Sequence, residues 1–177
     1  IATAAAEGLA SVVLNPTAVI GPGDAKPSYL GEALLKIYRN EFPMLISGGY
    51  NFVDVRDVVE AAITAGLKEN CHGRYILPGN WHDLREIASI TEFLAKKKIN
   101  KMAAPLFLAQ CALPFVRLYS ALNGRPSLFT AESLDNIKTS HRHISSAKAM
   151  QDLAYAPRPI VHTLTDTYEW FKSNKMI

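Results

Sequence analysis

The sequence predicts an α/β fold, and three observations carry that expectation. Strand-like and helix-like periods alternate from residue 10 to residue 98. An apolar, β-forming run, "VVLNPTAVIGPGD" at 12–24, stops at a Gly-Pro-Gly turn. Two Asp-x-x-Glu signatures, at 57–60 and 83–86, precede apolar residues at helical spacing.

The first residues, "IATAAAEGLA", have no initiator Met and no basic leader, which argues against a signal peptide. They read as the last turns of a helix with Gly8 at its C-cap, so the chain is expected to be a fragment. A strand follows from Ala10 to Ile20, interrupted by Asn15-Pro16. Leu30, Leu34 and Ile37 predict an amphipathic helix over 29–40, ended by Pro43. "MLISGGYNFVDV" offers two short strands separated by Gly48-Gly49. Asp57 is expected to cap a helix running to about Lys68, "RYILPG" to be a strand, and Asp83 to cap the next helix. Residues 102–122 form the most apolar stretch, but Gln110, Pro114 and Arg117 interrupt it, which favours buried or docking helices over a membrane span. The tail offers a short helix capped by Thr130, another capped by Ser145 or Ser146, and a last one from about Val161 with Leu164, Tyr168 and Phe171 on one face.

Composition narrows the function classes. A chain of 177 residues is 49% hydrophobic and 20% charged, enough to bury a core as one domain or a large part of one. A net charge of +3 makes no electrostatic case for nucleic acid. Cys71 and Cys111 lack metal-type spacing and suggest a reducing, cytoplasmic setting, with one disulfide left open.

Several candidate sites have a plainer reading beside the chemical one. The chain lacks a G-x-G-x-x-G, a Walker loop and a G-x-S-x-G elbow. His141 and His143 could share a strand face and a metal, but no third ligand is near in sequence. Tyr168-x-x-x-Lys172 has the spacing of a tyrosine general acid/base with its lysine, yet Tyr168 shares an apolar stripe that suits a core. Asp54 and Arg56 flank a strand end beside Phe52 and either face a ligand or form a local salt bridge.

Taken together, "VVLNPTAVIGPGD", "NFVDVRDVVEA" at 51–61, "GRYILPG" at 73–79, "SSAKAMQDLAYAPRP" at 145–159 and "TDTYEWF" at 165–171 resemble an extended short-chain dehydrogenase/reductase. The likeness is to the C-terminal half of the NAD-dependent epimerase/dehydratase and dihydroflavonol-reductase-like branch, nearest the hopanoid-associated sugar epimerase group. Two departures stand out. Asp54-Val-Arg56-Asp57 replaces the His-Val-Asp-Asp of many relatives, and Asn15-Pro16 replaces the Arg-Pro of many nucleotide-sugar epimerases.

The resemblance implies the C-terminal part of a Rossmann-like NAD(P)-binding fold plus a mostly helical substrate-binding lobe. Residues 1–27 would be the terminal strand of the Rossmann domain. Residues 28–177 would form the lobe, with 57–79 packing back onto the Rossmann sheet. It also implies NAD or NADP as cofactor, a small carbonyl or hydroxyl substrate, sugar-like or dihydroflavonol-like, and hydride transfer assisted by an upstream tyrosine and lysine. Asn15, Pro16, Thr17 and Val19 would line the nicotinamide; Lys26, Phe52, Asp54 and Arg56 would face the substrate. No residue of this chain is assigned a catalytic role, no metal is expected, and the chain is expected to be inactive without the upstream Rossmann half. A homodimer, a non-catalytic cofactor-sensing or protein-binding relative, and a membrane anchor through 96–122 stay open as alternatives.

Overall fold

Residues 12–20, expected as one strand, form two. In the computed structural model, which describes residues 11–69, 71–111, 113–114 and 131–177, β1 (Val12–Pro16) and β2 (Ala18–Ile20) belong to different sheets. The expected helix over the first residues, the Thr130 cap and residues 115–122 of the apolar stretch lie outside the described residues.

α1 (Tyr29–Arg39) begins at Ser28, whose hydroxyl accepts from the Gly31 amide, and ends at Asn40 in the left-handed conformation. β3 (Leu45–Ile46) and β4 (Gly49–Asp54) follow. β4 runs straight into α2 (Val55–Leu67), and the N-cap is Asp54, not Asp57: its carboxylate accepts from the Arg56 amide. Asp57 falls inside the first turn, where another arginine holds it. β5 (Gly73–Leu77) and β6 (Asn80–Asp83) lead to α3 (Leu84–Ala95), capped by Asp83 as expected. β6 went unread because Asn80-Trp81-His82-Asp83 is polar; its pairing with β4 makes it a strand. After β7 (Ala103–Ala104) come α4 (Ala131–Thr139), α5 (Ala147–Leu153) and α6 (Ile160–Ser173).

The strands make three small sheets. β1 pairs in parallel with β5, with Val12 opposite Gly73 and Pro16 opposite Leu77. β4 is the middle of a second sheet, parallel to β2 and antiparallel to β6. β3 pairs in parallel with β7.

Two apolar cores result, and β4 feeds both because neighbouring residues on a strand point to opposite faces. Phe52 joins Ile20, Leu34, Ile87, Leu164 and Phe171 from β2, α1, α3 and α6. Val53 joins Ala61, Tyr75, Leu77, Leu153 and Tyr155 from α2, β5, α5 and the segment after it. Tyr168 is 2% exposed in the first core, where its hydroxyl meets Thr91 Oγ1 at 2.9 Å and donates to the Leu34 carbonyl at 3.3 Å. Burial raises its pKa well above the usual tyrosine range, so it fills the core and is closed to solvent.

Candidate functional site

The site begins at the residue that hands the chain from one sheet to the other. Thr17 Oγ1 donates to the Asn51 carbonyl at 2.7 Å and accepts from the Gly79 amide at 3.2 Å, and its own amide donates to Leu77 O. One hydroxyl thereby ties β4 to the loop after β5. Gly79 is required there: a Cβ on it would collide with the Phe52 carbonyl. Just before this seam, Asn15 and Pro16 are exposed at the carboxyl end of the parallel β1–β5 pair. In open α/β sheets ligands bind outside the carboxyl ends of parallel strands.

Beside the seam lies a cleft of about 520 Å³, walled by Thr17 and Ala18 from the seam, Tyr50 and Asn51 from β4, and Glu132, Asn136, Ser140 and His141 from α4 and the loop after it. Asn51 is 5% exposed, and its Nδ2 donates to the His141 carbonyl at 2.5 Å. Arg142 stacks its guanidinium 4.1 Å above the centre of the Trp81 ring. Both contacts dock the loop after α4 onto the antiparallel β4–β6 pair. Deeper in, Tyr29, Leu30 and Tyr50 lead to an apolar pocket of about 70 Å³, also lined by Ala33, Ile46, Phe52, Ile87 and Ile137. Burial, reinforced by Tyr29, pushes the Tyr50 phenol up to about 12, so it stays protonated at neutral pH.

The expected site residues divide among three places. Thr17 lines the cleft and Phe52 the apolar pocket. Val19 packs its side chain toward the second core. Lys26 is exposed on the turn before α1 and lines neither cavity. Asp54 and Arg56 also line neither. They belong to an ion-pair clamp between β4–α2 and the start of α6. Arg56 reaches Asp54 at 2.7 Å and Asp166 at 2.6 Å, while Arg158 reaches Asp57 at 2.6 Å and Glu60 at 3.1 Å. Burial alone would raise the Asp54 pKa, but hydrogen bonds from Arg56 and Thr163 overcome it and hold the carboxyl below its usual range. The carboxylate of Asp54 has no exposed surface.

His141 contributes to the cleft wall, and among the described residues no group of three His, Cys, Asp or Glu side chains is placed to hold a metal. Tyr29, Tyr50, Asn51, Glu132 and Asn136 escaped the sequence reading. Asn51 carried a usable signal, since an amide between aromatic neighbours on a strand must find partners when buried. The α4 residues carried none, because only the fold brings them to β4.

No family model matches the chain. It is 30% identical over 182 residues to a Synechocystis sp. protein provisionally named a dihydroflavonol 4-reductase, covering 97% of this chain and 51% of that protein. It is 28% identical over 177 residues to sterol demethylase protein B of Methylococcus capsulatus, covering 98% of this chain and 53% of that one. Among solved structures it superposes on a Bordetella bronchiseptica enzyme in complex with NAD+ and UDP, with a TM-score of 0.65, 18% identity and coverage of 96% of this chain and 48% of that chain. Its α/β fold matches that of the epimerases and short-chain dehydrogenase/reductases. It spans about half the length of the curated relatives it matches. Among the described residues, no helix is long and apolar enough to cross a membrane.

Proposed function

We propose that the chain supplies the substrate-binding part, and one wall of the nicotinamide site, of an NAD(P)-dependent reductase or epimerase acting on a small carbonyl or hydroxyl substrate. The observation that carries this reading is the juxtaposition at Thr17. The exposed carboxyl end of a parallel strand pair opens directly beside a cleft with polar and apolar walls. When bound, the nicotinamide supplies or accepts the hydride.

In this reading Asn15, Pro16, Thr17 and Val19 present mainly backbone to the cofactor. Pro16 has no N–H, so nothing there competes with a ligand donor. Thr17 fixes the distance between that wall and the cleft. Phe52 packs against the inner end of the substrate, and Lys26 stands at the turn where residues 1–27 give way to the lobe of 28–177. Asp54 and Arg56 serve substrate binding indirectly, by holding the junction of β4 and α2. Residues 57–79 return to pair with β1 and extend the dinucleotide-binding sheet. The chain alone turns nothing over, because the acid/base tyrosine, its lysine and the phosphate-binding loop belong to the other half of such a protein.

The test is a chimera that joins this chain to the unmatched half of the Synechocystis relative. The chimera is expected to bind NADH or NADPH, whereas the chain alone leaves the fluorescence of either unchanged at micromolar concentration. Asn15→Trp, an exposed change, should weaken dinucleotide binding without moving the melting temperature. Saturable binding of NADH by the chain alone, or a chimera indifferent to Asn15→Trp, would refute the proposed wall.

A further inference from the structure

The cleft and the apolar pocket share Tyr29, Leu30 and Tyr50 as walls, so a polar hollow and an apolar one lie side by side. The two halves differ sharply in charge and polarity. At the entrance Glu132 is the one carboxylate, and no lysine or arginine lines it among the described residues. At the inner end only aliphatic and aromatic side chains appear, with the two tyrosines at its neck.

These linings select by desolvation. Among the described residues, a diphosphate brought into this entrance would lose water and meet the Glu132 carboxylate with no lysine or arginine beside it, which is unfavourable. An uncharged group faces no such cost. The inner pocket is apolar enough to be dry, so an apolar group entering it displaces no well-bonded water. Its volume of about 70 Å³ gives room for a group of roughly five to seven heavy atoms. Ala33 of α1, half-buried, lines it with its methyl group.

We infer that the substrate of this site is uncharged and carries a short branched or cyclic apolar group, which seats between α1, α3 and β4. Its carbonyl or hydroxyl end stays at the polar entrance beside Thr17 and Asn51, and nucleoside diphosphate sugars are excluded. The inference rests on the substrate-site reading above and names the substrate class for it.

The test is a methyl NMR titration of the full chain with benzylacetone, a neutral ketone carrying a phenyl ring, and separately with UDP. Benzylacetone is expected to shift the methyl signals of Leu34, Ile46 and Ile87, and UDP to leave them unmoved. Ala33→Phe fills the pocket and should weaken benzylacetone binding by about tenfold or more. Ala33→Leu, which adds less bulk, should give a smaller loss and carries the test if the phenylalanine variant fails to fold. UDP moving the same methyls, benzylacetone moving none, or equal binding in wild type and the variants would each overturn the inference. The titration contains no dinucleotide, so its failure leaves the chimera's cofactor binding intact, and failure of the chimera leaves the titration intact.

Discussion

Strand β4 supplies two polar regions of opposite design. At its middle, Tyr50 and Asn51 face a cleft with one carboxylate and no described lysine or arginine. At its end, Asp54 enters a clamp of four carboxylates and two arginines in which every charge has a partner within 4.0 Å. Charge density alone would choose the clamp as the ligand site. Satisfaction chooses the cleft: each arginine of the clamp is already held by two of its carboxylates, whereas the cleft is open and shaped. The difference teaches that a dense ionic cluster at a helix start is an assembly device, and a nearly uncharged hollow beside it is where a ligand fits.

The sharpest way to break that contrast is to dismantle the clamp. Asp54→Ala removes the N-cap of α2 and a buried carboxylate that Arg56 and Arg158 both approach. The loss should be about 3 kcal/mol, read as a lower urea midpoint, since removing one partner strands the others. For a chain of this length that corresponds to a fall of roughly 6–12 °C in melting temperature. Below that temperature benzylacetone should bind Asp54→Ala as it binds wild type. A loss of binding without a loss of stability would make Asp54 a ligand contact after all.

Acid should find the clamp next. The Asp54 pKa is depressed in the folded chain, so the native state holds fewer protons than the unfolded one below about pH 4. The stabilisation from Asp54 is therefore fully present above that range and fades as the pH falls through the folded value. Urea midpoints measured between pH 6 and pH 3 should drop more steeply for wild type than for Asp54→Asn. Parallel profiles would mean that the carboxylate is not held ionised by its arginines.

Much of the fold was legible because local signals and packing agree. Leu34 and Ile37, Asp83 and the stripe Leu164, Tyr168, Phe171 each did what their pattern announced. Asp57 looked like a cap because Glu60 stands three residues on, yet Asp54 lies at the strand end and takes the amide first, freeing Asp57 for Arg158. Asn15-Pro16 correctly marked a break in the strand, but the sequence could not say that the two pieces join different sheets. That depends on β5 and β4, some sixty and thirty-five residues later. The cleft was the least legible part, since Glu132 and Asn136 reach it only through tertiary packing.

The smallest effect belongs to the seam between the two regions. Thr17→Val keeps the shape of the side chain and deletes its hydroxyl, leaving the Asn51 carbonyl and the Gly79 amide without that partner. Both groups are partly buried, and water reaches the cleft beside them, so the cost should be about 1 kcal/mol. Stability would barely register this change, but position would. Asn51 carries its carbonyl on β4 and its side chain on His141, so relaxing the seam should loosen the cleft wall while the clamp keeps β4 and α2 in place. Amide hydrogen exchange should accelerate at Gly79 and His141 and stay unchanged at Arg56 and Arg158. Equal acceleration at all four would show that the seam and the clamp open as one unit, and that β4 does not separate them.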